Sequence, residues 1–352
     1  MEDDRNPSLH GIVLAGAYPG HDTIDLLAPR PLLPAAQRPL VSYAIRWMAD
    51  GGVETATICA NTAARAVRAR LGRYAYGASL DYLEDWHPRG AAGCARDAGL
   101  RTTAGTFVVA DGTAVPVAEL ADLLERHRAE RAAITAVVAA DTAGRLQPSG
   151  FYVFDRRALS LVSEEGFQDI KEKLIPSLYA AGETVAIHVA REAAPRVVNA
   201  DTYLALNQWL VGRASRHRDS PEGFRVLGGT ILHESAAVDP TARLLGPVFL
   251  GAEVTVGPDA TLVGPVSVGP GSTIGAEAVV SRSVLWSECS VGDGAFVDRS
   301  MLADRVRVPA RDTLISVLKA DQIRAEAPSR RPLRAPWTPL VASLGHASHP
   351  QG

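Results

Sequence analysis

The carboxy-terminal third of the chain places one large aliphatic residue at every sixth position. Two positions before each member of the first run stands a small or β-branched residue, for example Ala236, Val254 or Ser272. A six-residue period predicts one short strand per repeat, with three repeats closing a triangular coil whose aliphatic side chains stack along the axis. The run comprises Leu232, Val238, Leu244, Leu250, Val256, Leu262, Val268, Ile274 and Val280, and after a one-residue slip Val279, Leu285, Val291 and Val297.

This repeat resembles that of the hexapeptide-repeat proteins, and the resemblance implies a left-handed β-helix. Many such proteins are acyltransferases with a histidine general base between neighbouring coils, so His233 in the opening repeat is a candidate base, although a capping or corner role is the simpler and preferred explanation. The flanks of such coils favour assembly, which predicts an oligomer. Turn positions without room for a Cβ are predicted at Gly251, Gly257, Gly269, Gly275 and Gly292.

The amino-terminal half alternates buried strands with amphipathic helices. The segment GIVLAG at 11–16 predicts a strand that runs into a glycine turn, and 39–51 carries apolar residues at helical spacing. Such alternation predicts a doubly wound, Rossmann-like α/β domain with a parallel sheet, which binds ligands at the carboxyl edge of its strands. Further strands are predicted at 54–59, 80–83, 106–110 and 134–138, and further helices at 62–71, 91–100 and 117–128.

The length of 352 residues exceeds the usual size of one hydrophobic core, so two domains are expected. The α/β domain is predicted at 11–215 and the β-helix at 222–318. They are flanked by an amino-terminal extension at 1–10 and a tail rich in proline and alanine at 319–352.

Composition and charge narrow the range of partners and compartments. The formal net charge is −3, which provides no basic field for a nucleic acid. No signal peptide and no apolar run of membrane-spanning length is present, so we expect a cytoplasmic protein without a membrane partner. Cys59, Cys94 and Cys289 lack the spacing of metal ligands, and we predict reduced, buried thiols and no metal site.

Several loops, read together, resemble the sugar-phosphate nucleotidyltransferases that make NDP-sugars, with the mannose-1-phosphate guanylyltransferases as the nearest type. With the hexapeptide repeat that follows, this resemblance covers the chain from about residue 11 to residue 318. The matching segments are Leu14-Ala15-Gly16, PRPLLP at 29–34, RPL at 38–40, GGV at 51–53, PRGAAG at 88–93, GFYVF at 150–154, Tyr203-Leu204 and Asn207.

The resemblance implies a nucleotide or NDP-sugar as the ligand. The segment PRGAAG is similar to the base-contacting segment of the family, although its glycines also suit a plain strand-to-helix turn. The residues predicted to bind the nucleotide are Leu14, Ala15, Gly16, Gly90, Ala91, Ala92, Gly93 and Asp111.

The phosphate-binding groups of the family are largely missing from this chain. The family holds the triphosphate with a glycine-rich loop that contains arginine, followed by a lysine in a P-K-P segment. Here the loop at 16–22 reads GAYPGHD and contains no arginine, and the lysine is replaced by Arg30. Only a dozen residues separate the segment at 134–137 from Gly150, where the family carries a lysine for the sugar phosphate.

The two aspartates with which the family holds magnesium also have no clear equivalents. The first metal position aligns with Thr113 in the turn Asp111-Gly112-Thr113, and the second aligns with Arg196. A cation at a magnesium position disfavours the metal. A one-residue shift would instead place Asp111 at the metal, and Asp22, Asp25 or Asp201 are alternative ligands.

These losses favour a degenerate pyrophosphorylase that binds a nucleotide, an NDP-sugar or a catalytic paralogue in a regulatory or assembly role. No cofactor is then expected. The alternative is an active sugar-1-phosphate nucleotidyltransferase with a rearranged site, for which the catalytic candidates are Arg30, His21 and Asp111, with Mg²⁺ as its cofactor. A hexapeptide acyltransferase that uses His233 is a more distant alternative.

Overall fold

The computed structural model describes residues 8–16, 23–85, 87, 89–140, 144–215 and 223–320. These residues belong to one compact unit. Residues 1–7 of the predicted extension, the predicted phosphate loop from 17 onward and the tail beyond 320 lie outside the described residues.

The amino-terminal half is built on a mixed eight-stranded sheet, in the order β10-β8-β9-β7-β1-β4-β6-β5. The small strands β2 and β3 form a separate hairpin. The ten strands are β1 Leu9–Leu14, β2 Pro34–Ala35, β3 Arg38–Pro39, β4 Thr55–Ala60, β5 Tyr74–Ala75, β6 Ala78–Glu84, β7 Thr106–Asp111, β8 Ile134–Ala140, β9 Leu146–Asp155 and β10 Val185–Val189.

The expectation of a wholly parallel sheet was wrong in two places. Strand β9 runs antiparallel to both β7 and β8, and β5 runs antiparallel to β6. Parallel neighbours need a crossover of a dozen or more residues, whereas Ala140 of β8 is already paired with Leu146 of β9. The short connection therefore forces an antiparallel hairpin.

Helices cover both faces of this sheet, as expected for a doubly wound domain. Helices α1, α2 and α4 share one core with alternate strand residues such as Val13 and Ile58. Helices α3, α5 and α6 share a second core with Ile12 and Phe107. The predicted helices lie close to the observed ones, which are α1 Val41–Asp50, α2 Ala64–Leu71, α3 Gly90–Gly99, α4 Leu120–Ala129, α5 Arg156–Ser160, α6 Ile175–Ala180 and α7 Ala200–Ala214.

The carboxy-terminal part consists of short strands in three sheets, which are parallel except for the pairing of β11 with β12. Leu232 pairs with Leu250 and Leu262 with Val280, so one coil contains three six-residue repeats. Three parallel sheets with this register fit the predicted β-helix. The strands are β11 Phe224–Leu227, β12 Thr230–His233, β13 Ala237–Val238, β14 Arg243–Leu245, β15 Val248–Leu250, β16 Thr255–Val256, β17 Thr261–Val263, β18 Val266–Val268, β19 Thr273–Ile274, β20 Val279–Ser281, β21 Val284–Leu285, β22 Ser290–Val291, β23 Phe296–Asp298, β24 Met301–Leu302, β25 Arg307–Val308, β26 Thr313–Ile315 and β27 Leu318–Lys319.

The predicted slip of the repeat onto Val279 was wrong. Val280 pairs with both Leu262 and Val297 and is fully buried, whereas Val279 is only half-buried. The missing residue is absorbed in the turn between β20 and β21. A one-residue shift within a strand would turn every side chain to the opposite face, so the shortening is tolerated only in a turn.

The repeat glycines stand where the next coil leaves no room for a side chain. A Cβ on Gly269 would lie 2.4 Å from the carbonyl oxygen of Trp286, and one on Gly292 would lie 2.5 Å from the nitrogen of Ala310. In these turns the residue two positions after the glycine, for example Glu253 or Glu277, adopts the left-handed backbone conformation. Close packing between coils thus explains these glycines.

Helix α7 joins the sheet domain to the coils through buried polar contacts. The indole Nε1 of Trp286 donates to the hydroxyl oxygen of Tyr203 at 2.9 Å, and that hydroxyl donates to the carbonyl of Pro34. The side chain of Asn207 accepts from the amide of Ala36 at 2.9 Å. Tyr203, which the sequence matched to the nucleotidyltransferases, therefore stabilises the junction between the β2–β3 hairpin, α7 and the coils.

The three cysteines are free thiols, as predicted. Cys59 and Cys289 are buried and Cys94 is half-buried. Burial raises the pKa of Cys94 and of Cys289 to about 12. Thiolate chemistry at neutral pH is correspondingly disfavoured.

Acid is expected to destabilise the fold through His127. Burial lowers the pKa of His127 to about 4 from its usual 6.5, while Nδ1 lies 3.0 Å from the hydroxyl of the buried Thr135. Because the unfolded chain takes up this proton at higher pH, stability should fall by roughly 2 kcal/mol as pH drops from 6.5 to 4. Urea unfolding of the wild type and of His127→Gln across this range measures the effect.

The control is His188→Gln on the half-exposed end of β10, which should keep the wild-type pH dependence. Burial also lowers the pKa of His10, so some acid sensitivity should persist in His127→Gln. An unchanged slope in His127→Gln would refute the assignment.

Candidate functional site

The ends of β1 and β7 bring together two of the predicted nucleotide-binding segments. The strands run parallel, with Leu14 paired to Asp111, and the amide of Gly112 donates to the carbonyl of Leu14 at 2.9 Å. Ala15 is buried and Gly16 is exposed at this edge. The loop at 17–22, which includes the catalytic candidate His21, lies outside the described residues.

The predicted base-contacting segment forms the first turn of α3, and Pro88 before it lies outside the described residues. The amide of Ala92 donates to the carbonyl of Gln168 at 2.9 Å, and that of Gly93 donates to the same oxygen at 3.4 Å. Two of the amides at this helix start are therefore used within the chain. The alternative reading of these glycines, as a structural turn, has geometric support.

Gly90 at this turn should tolerate no side chain. Its φ is +73°, and a Cβ would lie 2.5 Å from the oxygen of Gln168. We expect Gly90→Ala to destabilise the protein by about 3 kcal/mol, from left-handed strain together with steric overlap. Chemical denaturation measures the change.

Gly182→Ala is the matched control, because Gly182 has the same φ of +73° but no atom within 4 Å of the added Cβ. It should cost about 1 kcal/mol, from strain alone. Equal losses for the two variants would contradict steric overlap at Gly90.

Arg196, which aligns with the second magnesium aspartate, forms an ion pair with Asp111 in the turn that carries the first metal position. Nη2 of Arg196 lies 2.5 Å from Oδ2 of Asp111. The other carboxylate oxygen, Oδ1, accepts from the hydroxyl of Thr113 at 2.7 Å and from its amide at 2.8 Å. Gly150 packs against the side chain of Asp111, since a Cβ added to Gly150 would lie 2.8 Å from the Cβ of Asp111. Both oxygens of Asp111 are thus engaged by the chain.

This arrangement does not fit a magnesium ion. Mg²⁺ requires several oxygen ligands, and the cationic guanidinium of Arg196 occupies the space beside the carboxylate of Asp111. Among the residues that the structure describes, no cluster of three or more histidine, cysteine, aspartate or glutamate side chains is suited to a metal.

Arg30, the second catalytic candidate, is held by a carboxylate and by the backbone. Its Nε lies 2.6 Å from Oδ1 of Asp25, and its Nη2 donates to Oδ2 at 2.9 Å. The guanidinium also donates to the carbonyls of Val197 and Val198, at 3.3 and 3.1 Å. Arg30 therefore anchors the segment that carries Arg196, and Asp25 offsets its charge. No pattern in the sequence indicated this pairing.

The β8–β9 hairpin, in which Ala140 pairs with Leu146, lies where the sequence analysis predicted the loss of the segment with the sugar-phosphate lysine. Tyr152 of β9 is buried beside this edge, and burial raises its pKa to about 12. The phenol therefore stays protonated at neutral pH. Arg196 and Asp111 are among the charges that act on it.

His233, the candidate base of the acyltransferase alternative, lies at the end of β12. Its ring packs edge-on against Phe224 at 4.9 Å, and Nδ1 lies 2.8 Å from the hydroxyl of Ser235. Both contacts suit the corner role that the sequence also allowed.

The mixed α/β sheet with helices on both faces is consistent with a Rossmann-like domain of the nucleotidyltransferase type. Mannose-1-phosphate guanylyltransferase of Mycobacterium tuberculosis (strain ATCC 25618 / H37Rv) is 24% identical over 248 residues, which is 63% of this chain and 68% of that protein. This weak similarity supports a distant relationship to the nucleotidyltransferase family. No protein-family model matches the chain. None of the described helices has the length and apolar character needed to cross a membrane.

Proposed function

We propose that this chain is a degenerate relative of the NDP-sugar pyrophosphorylases that binds a nucleotide or NDP-sugar at the carboxyl edge without turning it over. Its role would be regulatory or in assembly, within sugar-nucleotide or polysaccharide metabolism. The ion pair between Arg196 and Asp111 is the observation that carries this proposal, since it places a cation from the second aligned metal position on the only carboxylate of the Asp111-Gly112-Thr113 turn.

Nucleotidyl transfer requires cations that neutralise the phosphates as pyrophosphate leaves. Here Arg30 is already paired with Asp25, and Arg196 with Asp111. The β8–β9 connection is too short to carry the sugar-phosphate segment. Such a site is proposed to bind a nucleotide through its base and sugar, while its described residues offer no free cation for the chemical step.

Assembly is the second part of the proposal. Coils with exposed flanks favour oligomers, and a catalytic paralogue or further copies of this chain are the proposed partners. The β-helix is proposed to be left-handed, like those of the hexapeptide-repeat proteins.

Calorimetric titration of the full chain with GTP, GDP-mannose and other NDP-sugars, with and without Mg²⁺, tests the binding role. The dissociation constant should stay within about twofold when Mg²⁺ is removed, because none of the residues that the structure describes forms a metal site that would connect the protein to the phosphates. A pyrophosphate-release assay with sugar 1-phosphates should give no product.

Pyrophosphate release that depends on Mg²⁺ and is abolished by Arg30→Ala would overturn the proposal in favour of an active nucleotidyltransferase. The absence of binding to every nucleotide would remove the ligand role and leave assembly alone. Sedimentation of the chain with a catalytic paralogue tests that remaining role.

A further inference from the structure

A cavity of about 490 Å³ lies where α1, the segment between β7 and α4, the end of α7 and the first coils meet. None of the predicted nucleotide-binding residues lines it. Its volume is within the range of small-molecule sites, and such sites combine apolar walls with a few polar groups. Val226, Ile231 and Phe249 supply apolar walls from the coils.

Two aromatic rings on α1 are fixed at the wall of this cavity. The indole Nε1 of Trp47 donates a hydrogen bond to the carbonyl of Ala118 at 2.7 Å. The hydroxyl of Tyr43 donates one to the carbonyl of Ala35 at 2.8 Å. The ring of Trp47 also packs edge-on against Phe151 at 5.3 Å. Rings held in this way offer faces for a planar ligand at little entropic cost.

Among the described residues, Arg38 is an unpaired cation at the wall of the cavity, whose lining also includes the exposed carboxylate of Glu119. Within the part of the chain that the structure describes, its guanidinium has no hydrogen-bond or ion-pair partner, and the residue is half-buried. By contrast, Arg46 is paired with Asp50, and Arg213 with Glu192. Arginine is suited to a phosphate, to which it donates two parallel hydrogen bonds.

We propose that this cavity is a second ligand site that takes a nucleotide, with the base against the aromatic wall and a phosphate on Arg38. The wall at 115–119 follows directly on the Asp111-Gly112-Thr113 turn. The site is separate from the edge site of the proposed function, and its test does not depend on that function.

The test is calorimetric titration of the full chain with GDP, guanosine and inorganic phosphate. GDP should bind at this site at least tenfold more tightly than either part alone, since both the aromatic wall and Arg38 contribute. Arg38→Gln should weaken this binding at least tenfold. If the edge site also binds GDP, the stoichiometry should fall from two to one when the cavity is blocked.

Blocking uses Ala121→Trp, because Ala121 lines the cavity from an exposed position of α4 and its replacement disturbs no core. Ala129→Trp, at an exposed position near the end of the same helix, is the matched control and should bind GDP like the wild type. GDP binding unchanged in both Arg38→Gln and Ala121→Trp, or no GDP binding at all, would overturn the second site. The first of these results would leave the edge site intact.

Discussion

Replacing Arg196 by aspartate is expected to create a magnesium site at the end of β7. The substitution removes the cation that lies 2.5 Å from Asp111 and places a second carboxylate beside the first, with the hydroxyl of Thr113 adjacent. Exchanging a positive for a negative charge next to a divalent ion should make the binding free energy of Mg²⁺ more favourable by at least about 1.4 kcal/mol, even at a high effective dielectric constant. The affinity for Mg²⁺ should therefore rise at least about tenfold. Calorimetric Mg²⁺ titration, with and without nucleotide, measures the gain.

Arg191→Asp is the control, since it makes the same change in charge at an exposed position of the same connection between β10 and α7. It should leave Mg²⁺ affinity close to that of the wild type. Tight Mg²⁺ binding by the wild type, or no gain in Arg196→Asp while the fold is retained, would contradict the view that Arg196 replaces the metal.

Replacing Tyr203 by alanine should cost about 4 kcal/mol of stability. The side chain is fully buried in the core shared by α7, the β2–β3 hairpin and the coils. Its loss leaves a large cavity and deprives the indole of Trp286 and the carbonyl of Pro34 of their partner. Urea unfolding followed by circular dichroism and by tryptophan fluorescence measures the loss.

Two further variants separate the causes of this effect. Tyr203→Phe keeps the ring and should cost about 2 kcal/mol, through the unpaired polar groups alone. Tyr179→Ala removes a tyrosine that is 60% exposed and should change stability by less than about 0.5 kcal/mol. A loss below 1 kcal/mol for Tyr203→Ala would show that the junction does not depend on this side chain.

Contacts among Asp111, Arg196 and Arg30 support the proposed role of the site in addition to the missing motifs. Arg196 and Thr113, which the sequence could only describe as wrong residues at metal positions, both bind Asp111. Arg30 stabilises the segment that carries Arg196 by donating to Val197 and Val198. The substitutions thus form a connected network, which favours a site adapted to a different role.

The repeat coils and the amphipathic helices could be predicted from the sequence, because each depends on a pattern among neighbouring residues. The six-residue period predicted the coils because each short strand turns one aliphatic side chain inward. This spacing is visible in the sequence without any information on which distant residues are in contact. Amphipathic spacing located helices such as α1 and α4 in the same way. The predicted loss of the phosphate-binding arginine and of the sugar-phosphate segment rests instead on the resemblance to the nucleotidyltransferases, against whose motifs the loops were compared.

Tertiary structure alone decided which distant residues meet. Asp111 and Arg196 are 85 positions apart, and their ion pair depends on β7 ending beside the segment that leads into α7. The antiparallel direction of β9, the pairing of Arg30 with Asp25 and the burial of Tyr203 against Trp286 likewise carry no periodic trace. Periodicity predicts the face of a helix or strand on which a residue lies. The residue it contacts depends on the order of the strands in the sheet, which is known only from the folded structure.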